Sequence, residues 1–428
     1  MLESIAKVPK ILGITRHKPI HGDVRLGVPL RAVHNAGLAI TTVMGFVEMV
    51  LHGPEGRRMM NEAAFNSDLV IFQTPHNKHS LTWIESLQAC GVKVAIEYDD
   101  HPFWVDPTND AYRTWGVTEK DDWKDCGHCV KCQAYDEGRG PRPEHFNIKM
   151  NKAAKRRWLS CVQAADAVIT TTPRLAKVFR HFKTWRYDKP IHVIPNMLEM
   201  SDWARPSRII RPEMVGRTIR IGWHGGVSHR VDLNYVKPAI IRILKDYPQV
   251  KISLFGYCPP EFVEGIPDNQ FEYQDWKNSK SGFLTTLKTM GIDIGIVPVV
   301  PTRFARTKSE LKWVEYASQG IPVVATACEP YSDNINFKPG DDPNWTGLLA
   351  LSTEEWYAAL SFLIENEAAR NGIGQNAYDL VVERYDAPKR AAEIMAVYQR
   401  ILDGNVPLNA AERREMARAH VSVNGSAD

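Results

Sequence analysis

Residues 307–320, TKSELKWVEYASQG, place Lys308, Lys312 and Glu315 on one stripe at helical spacing, beside a second stripe of Leu311, Val314 and Ser318. An ordinary surface Lys–Glu pair next to a core face accounts for this pattern. The chemically richer account is the rim of an anion site. Ser309 suits an N-cap, Arg306 and Lys308 can face an anion at the helix start, and Glu315, about two turns in, can accept hydrogen bonds from ribose hydroxyls. A second stretch, IGWHGGVSHRVDL at 221–233, ends a strand-like run in Gly225-Gly226, continues through His229 and Arg230, and opens a helix near Asp232. Glycines let the backbone approach an anion that amides and cations neutralise, so a phosphate or diphosphate site follows, although glycine also serves many such turns through geometry alone. In DCGHCVKCQ, Cys126, Cys129 and Cys132 repeat at CxxC spacing. This suits a structural zinc held by thiolates, with His128, His145, His101 or Cys161 as the fourth ligand; an iron–sulfur cluster or a set of unpaired thiols are the alternatives.

These residues need a scaffold, and the chain supplies one of repeated pattern. Short apolar runs at 10–16, 38–43, 68–74, 93–100, 166–172 and 191–196 read as strands, separated by helical patterns such as SLTWIESLQACG at 80–91 and PRLAKVFRHF at 173–182. The series restarts after a Pro- and Arg-rich connection, with strands at 219–226, 250–257, 292–299 and 321–327 and a helix at 232–247. Alternating strands and helices imply parallel sheets covered on both faces. The expected organisation is α/β, with two doubly wound Rossmann-like domains facing each other across a cleft. Residues 1–196 form the first domain, 197–217 a linker and 218–385 the second; 386–428 hold a terminal helix packing back on the first domain and a flexible tail. Residues 101–146 break the alternation with turn residues, aromatics and the cysteines, and so read as an insertion at the end of the fourth strand, where loops of a parallel sheet usually serve a ligand.

The composition, 44% hydrophobic and 24% charged, is that of a globular enzyme, and a net charge of +3 does not by itself argue for a polyanionic partner. Basic clusters at 155–158 (KRRW) and 205–212 (RPSRIIRP) are local. No apolar stretch spans a bilayer and the N-terminus lacks a signal-peptide apolar region, so a cytoplasmic location is expected. Oligomeric state is not legible.

GWHGGVSHRVDL, DIGIVPVVPTRFARTKSELKWVEYASQGIPVVAT and TGLLAL together resemble the C-terminal, nucleotide-sugar-binding domain of GT-B glycosyltransferases, in the branch containing many retaining group 1 enzymes. IEYDDHPFW and the path from ADAVITTTPRLAKVF to IHVIPNMLEMSDW extend the resemblance to the first half. It implies a nucleotide-diphosphate sugar, such as a UDP-sugar, as donor. Glu315 matches the family's ribose carboxylate, Lys308 and Ser309 the diphosphate turn, and Gly225, Gly226, His229 and Arg230 the facing phosphate loop. One departure stands out: where many relatives place a second Glu this chain has Thr307, with Glu310 nearby to take its place. On the acceptor side the resemblance points to Gly22 and Asp23 after the first strand and to Asp99, Asp100 and His101 after the fourth, a carboxylate or His101 serving as general base if the enzyme inverts. Asp99-Asp100 also fits a plain turn.

The expected activity is sugar transfer to an acceptor hydroxyl on a glycan, lipid-linked or small-molecule acceptor. One alternative makes the acceptor a hydroxymethylated base in DNA, as in phage-type modifying enzymes, with the basic clusters holding the duplex. The other is a non-enzymatic, metal-stapled binding protein on a degenerate transferase fold.

Overall fold

A computed structural model describes residues 8–15, 22–45, 53–76, 79–102, 104–120, 123–127, 129–136, 145–180, 187–203, 218–337 and 344–404. Twelve strands among them form two sheets, both parallel throughout. The first joins β1 (Lys10–Thr15), β2 (Ile40–Gly45), β3 (Leu69–Gln73), β4 (Lys93–Tyr98), β5 (Ala167–Thr170) and β6 (Ile191–Val193) in the order β2-β1-β3-β4-β5-β6. The second joins β7 (Ile219–Gly225), β8 (Val250–Gly256), β9 (Phe271–Asp275), β10 (Ile294–Val297), β11 (Val323–Thr326) and β12 (Leu348–Ala350) in the order β12-β11-β10-β7-β8-β9. The order reverses between β1 and β3 in one sheet and between β7 and β10 in the other; beyond the carboxyl ends of strands at such a switch point, parallel sheets open a crevice for ligands.

Each sheet is sandwiched by helices because its central strands bury both faces. β3, β5, β10 and β11 are buried at every position, which matches their apolar, β-branched composition. In the first domain, α1 (Val28–Asn35) covers one face, while α2 (Gly53–Phe65), α3 (Ser80–Ala89), α5 (Ile148–Ala164) and α6 (Pro173–Arg180) cover the other; α4 (Val130–Asp136) belongs to the irregular insertion. The cluster KRRW lies in α5, where Trp158 is wholly buried, so this run is one turn of a packed helix rather than a linker. The cluster at 205–212 lies outside the described residues.

The second sheet is flanked by α7 (Arg230–Asp246), α8 (Lys280–Thr289), α9 (Leu311–Ala317), α10 (Thr353–Glu365) and α11 (Glu367–Arg384). α10 begins in a capping box, with Ser352 accepting from the Glu355 amide and the Glu355 carboxylate accepting from the Ser352 amide. α12 (Ala391–Leu402) then returns to the first domain, where Ile394, Tyr398 and Ile401 join the core of Ile11, Leu30 and Ile71. The chain crosses between domains where the Leu198 amide donates to the Tyr385 carbonyl at 2.8 Å and the Ala387 amide to the Leu198 carbonyl at 2.8 Å. No described helix is long and apolar enough to cross a membrane.

Candidate active site

The carboxyl ends of β7 and β10 bring the two sequence motifs of the second domain together. β7 runs out through His224 and Gly225, and β10 leads through Val299 and Val300 to a turn at Ala305–Thr307 and then α9. α9 sits close on the sheet because Gly295 has no side chain: a Cβ there would lie 2.9 Å from the Tyr316 ring. Tyr316 in turn donates its hydroxyl to the Gly222 carbonyl at 2.9 Å. Gly225 is equally constrained, since a Cβ would fall 2.6 Å from the Trp223 ring and 3.2 Å from Lys312 Nζ, whereas at Gly226 it would meet open space. The Gly225-Gly226 pair therefore seats a lysine at one position and leaves exposed backbone at the next.

Buried Glu315 and His224 and the half-buried Lys312 form an ionisable group at the carboxyl end of β7. Glu315 is 7% exposed, and its Oε2 lies 3.5 Å from His224 Nε2. Burial pushes the Glu315 carboxyl up to about 8 against the opposing pull of Lys312. The same burial holds the Lys312 ammonium down at about 8, with Asp232 and Glu315 opposing it, and drives His224 well below the usual imidazole range. Lys312 Nζ also lies 5.0 Å from the Trp223 ring centroid, a cation–π contact. At pH 7 the Lys312 ammonium therefore stays mostly charged while the Glu315 carboxyl is mostly protonated.

His229 and Asp232 fix the facing loop. His229 Nδ1 lies 2.8 Å from Asp232 Oδ2, and Asp232 Oδ1 accepts from the Val300 amide at 2.8 Å, which ties the N-terminus of α7 to the segment after β10. Burial and then Lys312 lower His229 to about 4, so its ring is neutral at physiological pH. Arg230 is exposed, with a guanidinium nitrogen 3.8 Å from Glu261.

Lys308 reaches across the interface. Its Nζ donates to Asp100 Oδ2 at 3.2 Å and lies 4.8 Å from the Phe304 ring centroid. Burial alone would lower the ammonium pKa, but Asp100, with Asp99 and Asp232 behind it, outweighs this and raises it. The end of β4 and the turn before α9, separated by more than two hundred residues, therefore meet as an ion pair. Asp99 and Asp100 are half-buried there.

Several residues named from sequence have other partners. Ser309 does not cap α9: Glu310 occupies that position, and the Ser309 hydroxyl instead accepts from Asn196 Nδ2 at 2.6 Å across the domain interface. Glu310 is 7% exposed and its carboxylate accepts from the Tyr385 hydroxyl at 2.6 Å, so it anchors α11 to the turn. Thr307 donates to the Phe304 carbonyl at 2.8 Å and closes its own turn. Arg306 pairs with Glu329. Asp23 pairs with Arg31 and, at 2.8 Å, with Lys280 of the second domain; burial opposes ionisation, but these cations outweigh it and lower its pKa. Gly22 immediately precedes it, at the start of the same helical turn. His101 is 1% exposed, between the rings of Trp104, Trp158 and Phe179, and burial followed by Lys155 and Arg303 lowers it to about 3. It is an enclosed, neutral imidazole rather than a base open to the crevice.

A buried chain not expected from sequence runs behind the site. Arg25 Nε donates to Glu97 Oε1 at 2.6 Å, and Nη1 donates to the Ile194 carbonyl at 3.0 Å and to Asn196 Oδ1 at 2.9 Å; Asn196 then donates to Ser309. Burial raises Glu97 to about 7 despite Arg25. His224, directly before Gly225, is the other missed residue, and its position at the end of an apolar strand was the only local signal.

In the insertion, Cys126, Cys129, Cys132 and His145 each offer one ligand atom, all within 4.8 Å of one another, a donor set compatible with structural zinc. His128 lies outside the described residues, whereas His101 and Cys161 are buried elsewhere.

No family model and no curated protein matches this sequence. Solved structures do resemble its fold. Anabaena HepE in complex with UDP and glucose aligns with a TM-score of 0.58 at 13% identity, covering 91% of this chain and 99% of that one. The UDP-forming trehalose-phosphate synthase of Burkholderia xenovorans aligns with a TM-score of 0.51 at 11% identity, covering 93% of this chain and 99% of that one. TarM aligns with a TM-score of 0.50 at 10% identity over 78% of this chain and 54% of its own. HepE and the trehalose-phosphate synthase are matched over nearly their full lengths, and the fold of this chain, two six-stranded parallel sheets each flanked by helices, is GT-B.

Proposed function

We propose that this protein is a nucleotide-sugar-dependent glycosyltransferase, moving a sugar from a nucleoside diphosphate to an acceptor hydroxyl between the two domains. Residues 1–196 would serve the acceptor and 218–385 the donor. The observation that carries this reading is the gathering of Lys308, Lys312 and buried Glu315 within electrostatic reach of one another, with Lys312 seated against Gly225, at the switch point of the second sheet. Complexes of HepE with UDP and with UDP and glucose supply the chemical class.

In this reading Lys308 and Lys312 stabilise the departing diphosphate, with the amides of the Gly226 loop aimed at it. Glu315 accepts from the ribose hydroxyls. His229, neutral and held through Nδ1 by Asp232, has the donor or acceptor role of its Nε2 set by that contact. Asp99 and Asp100 are the carboxylates on the acceptor side; Asp100 engages Lys308, so diphosphate binding competes with that pair. Between the insertion, the His229 loop and Lys308 lies a space of about 30 Å³.

A thermal-shift panel of UDP-, GDP- and ADP-sugars tests the reading, because a ligand of the native state raises stability with the logarithm of its concentration over Kd. A shift with one nucleotide class supports it. No shift and no hydrolysis with any of them would leave the non-enzymatic binding protein as the better account.

One observation favours a polyanionic acceptor as a second reading. α5, next to the cysteine insertion, contains no acidic residue and exposes Lys149, Lys152 and Arg156 at spacings of three and four. If DNA is the acceptor, gel-shift affinity falls steeply as salt rises; an absence of salt-sensitive binding sinks this reading and leaves sugar transfer to glycan, lipid-linked or small-molecule hydroxyls.

A further inference from the structure

We propose that Cys126, Cys129, Cys132 and His145 bind one zinc ion, and that this ion fixes the wall of the crevice that positions Lys308. The four donor atoms already approach tetrahedral spacing. Zn–S bonds of about 2.3 Å and a Zn–N bond of about 2.0 Å set S···S near ~3.8 Å and S···N near ~3.5 Å in a regular tetrahedron. The structure places Cys126 Sγ 3.6 Å and Cys129 Sγ 3.9 Å from Cys132 Sγ, with His145 Nε2 at 3.5 Å from Cys129 Sγ and 3.0 Å from Cys132 Sγ.

An outer layer supports the donor set. Asn147 Nδ2 donates to Cys126 Sγ at 3.0 Å and to Cys132 Sγ at 3.3 Å, the contacts that steady thiolate ligands. Asn147 Oδ1 simultaneously accepts from the Met150 amide and caps α5, so the cluster is built onto a regular element. The Cys126 amide donates to the Phe146 carbonyl at 3.3 Å, and Gly127 takes a φ of 63° to turn the chain between the first two cysteines. Binding replaces three S–H protons with one Zn²⁺, so three protons leave for each ion bound from the fully protonated set.

The cluster is joined to the crevice through packing. Phe146, adjacent to His145, stacks on Tyr112 at 5.9 Å and belongs to one apolar cluster with Val105 and Phe304. Phe304 comes from the second domain and carries Lys308 Nζ over its ring. Arg303 stacks on Trp104 of the insertion, 3.4 Å from the ring centroid. Without a covalent or metal tether, the ordering entropy of a segment this poor in regular structure would be offset only by a small apolar cluster and local hydrogen bonds such as Trp123 Nε1 to the Pro107 carbonyl. The link from the metal to donor affinity rests on the reading of Lys308 as a diphosphate cation; the link from the metal to the wall does not.

Elemental analysis of the full chain, grown with zinc, should give one zinc per chain, and cobalt substitution should give thiolate-to-cobalt charge-transfer bands. Cys129→Ser should lose most of the metal. If that variant fails to fold, removal of zinc from the wild type with 1,10-phenanthroline and its re-addition replace it. Hydrogen exchange on the metal-free chain should speed up at least ~10-fold at residues 104–127 and at 300–308, with β3 and β11 unchanged. Zinc well below one per chain without the cobalt bands, or iron with acid-labile sulfide instead, overturns the metal assignment. Faster exchange confined to 123–147 overturns the wall assignment. If zinc and exchange behave as expected but no UDP-, GDP- or ADP-sugar gives a thermal shift even with zinc bound, the donor reading fails and the zinc wall stands.

Discussion

Replacing Glu315 with Gln should stabilise the protein while weakening nucleotide binding. Burial raises the Glu315 carboxyl from its ordinary 4.5 to about 8, so at pH 7 the folded protein holds a proton that the unfolded chain has released. The cost is about 1.4 kcal/mol for each pH unit above 4.5, or roughly 3 kcal/mol at pH 7. Glutamine has nearly the same shape and no proton to take up. Burying its amide takes back about 1 kcal/mol, leaving a gain of roughly 2 kcal/mol, about 4–8 °C for a domain of this size. The sign gives a pH window. Wild-type stability from this group is complete below about pH 4.5 and is lost as pH rises to about 8, so the Gln variant should lie about 1 kcal/mol below the wild type near pH 4.5, cross it near about pH 5, and hold a constant lead above about pH 8. Thermal unfolding across pH 4.5–9, with and without UDP, measures both halves. A variant less stable than the wild type at pH 7, or a gap that ignores pH, refutes the burial argument; an unchanged UDP shift refutes the ribose role.

Further outcomes follow from the contacts around the site. Asp100→Asn releases Lys308 from a half-exposed ion pair and should tighten UDP binding about 2–5-fold by calorimetry while sugar transfer falls, whereas Lys308→Ala should weaken binding about 10-fold or more; equal affinities in all three proteins would remove Lys308 from the donor site. Arg25→Met strands Glu97 in the first core and should cost about 3–5 kcal/mol in urea unfolding, with Arg25→Met/Glu97→Leu recovering most of it; a loss below about 1 kcal/mol would mean that the chain to Asn196 contributes little. The ring of His101, held to about 3 by burial, should show no NMR titration between pH 5 and 8, and a midpoint in that range would reopen it as a general base.

The fold was legible wherever a strand is buried on both faces. The runs at 68–74 and 166–172 contain β3 and β5 because a central parallel strand needs unbroken apolar composition. β9, FEYQD, was missed because it is an edge strand with polar and exposed positions, and β12 spans three residues only. β2 begins at Ile40, two residues after the apolar run starting at Leu38, and is itself a partly exposed edge. The grouping of Lys308, Lys312 and Glu315 near Gly225 was legible because a Gly-Gly turn and a Lys–Lys–Glu stripe are local patterns. Arg25, Glu97 and Asn196 were not, since their contacts join residues 72 and 171 positions apart. The fourth metal ligand eluded spacing for the same reason: His145 reaches the cysteines through the path of the insertion, which no spacing rule encodes.

The central claim is nucleotide-sugar chemistry at the second switch point. Incubating the full chain with UDP-, GDP- and ADP-sugars and following release of free nucleoside diphosphate tests it most directly. The account expects slow release from one nucleotide class without acceptor, lost in Lys308→Ala/Lys312→Ala. Release that survives in that double variant, or none from any donor under conditions where the wild type is folded, contradicts it.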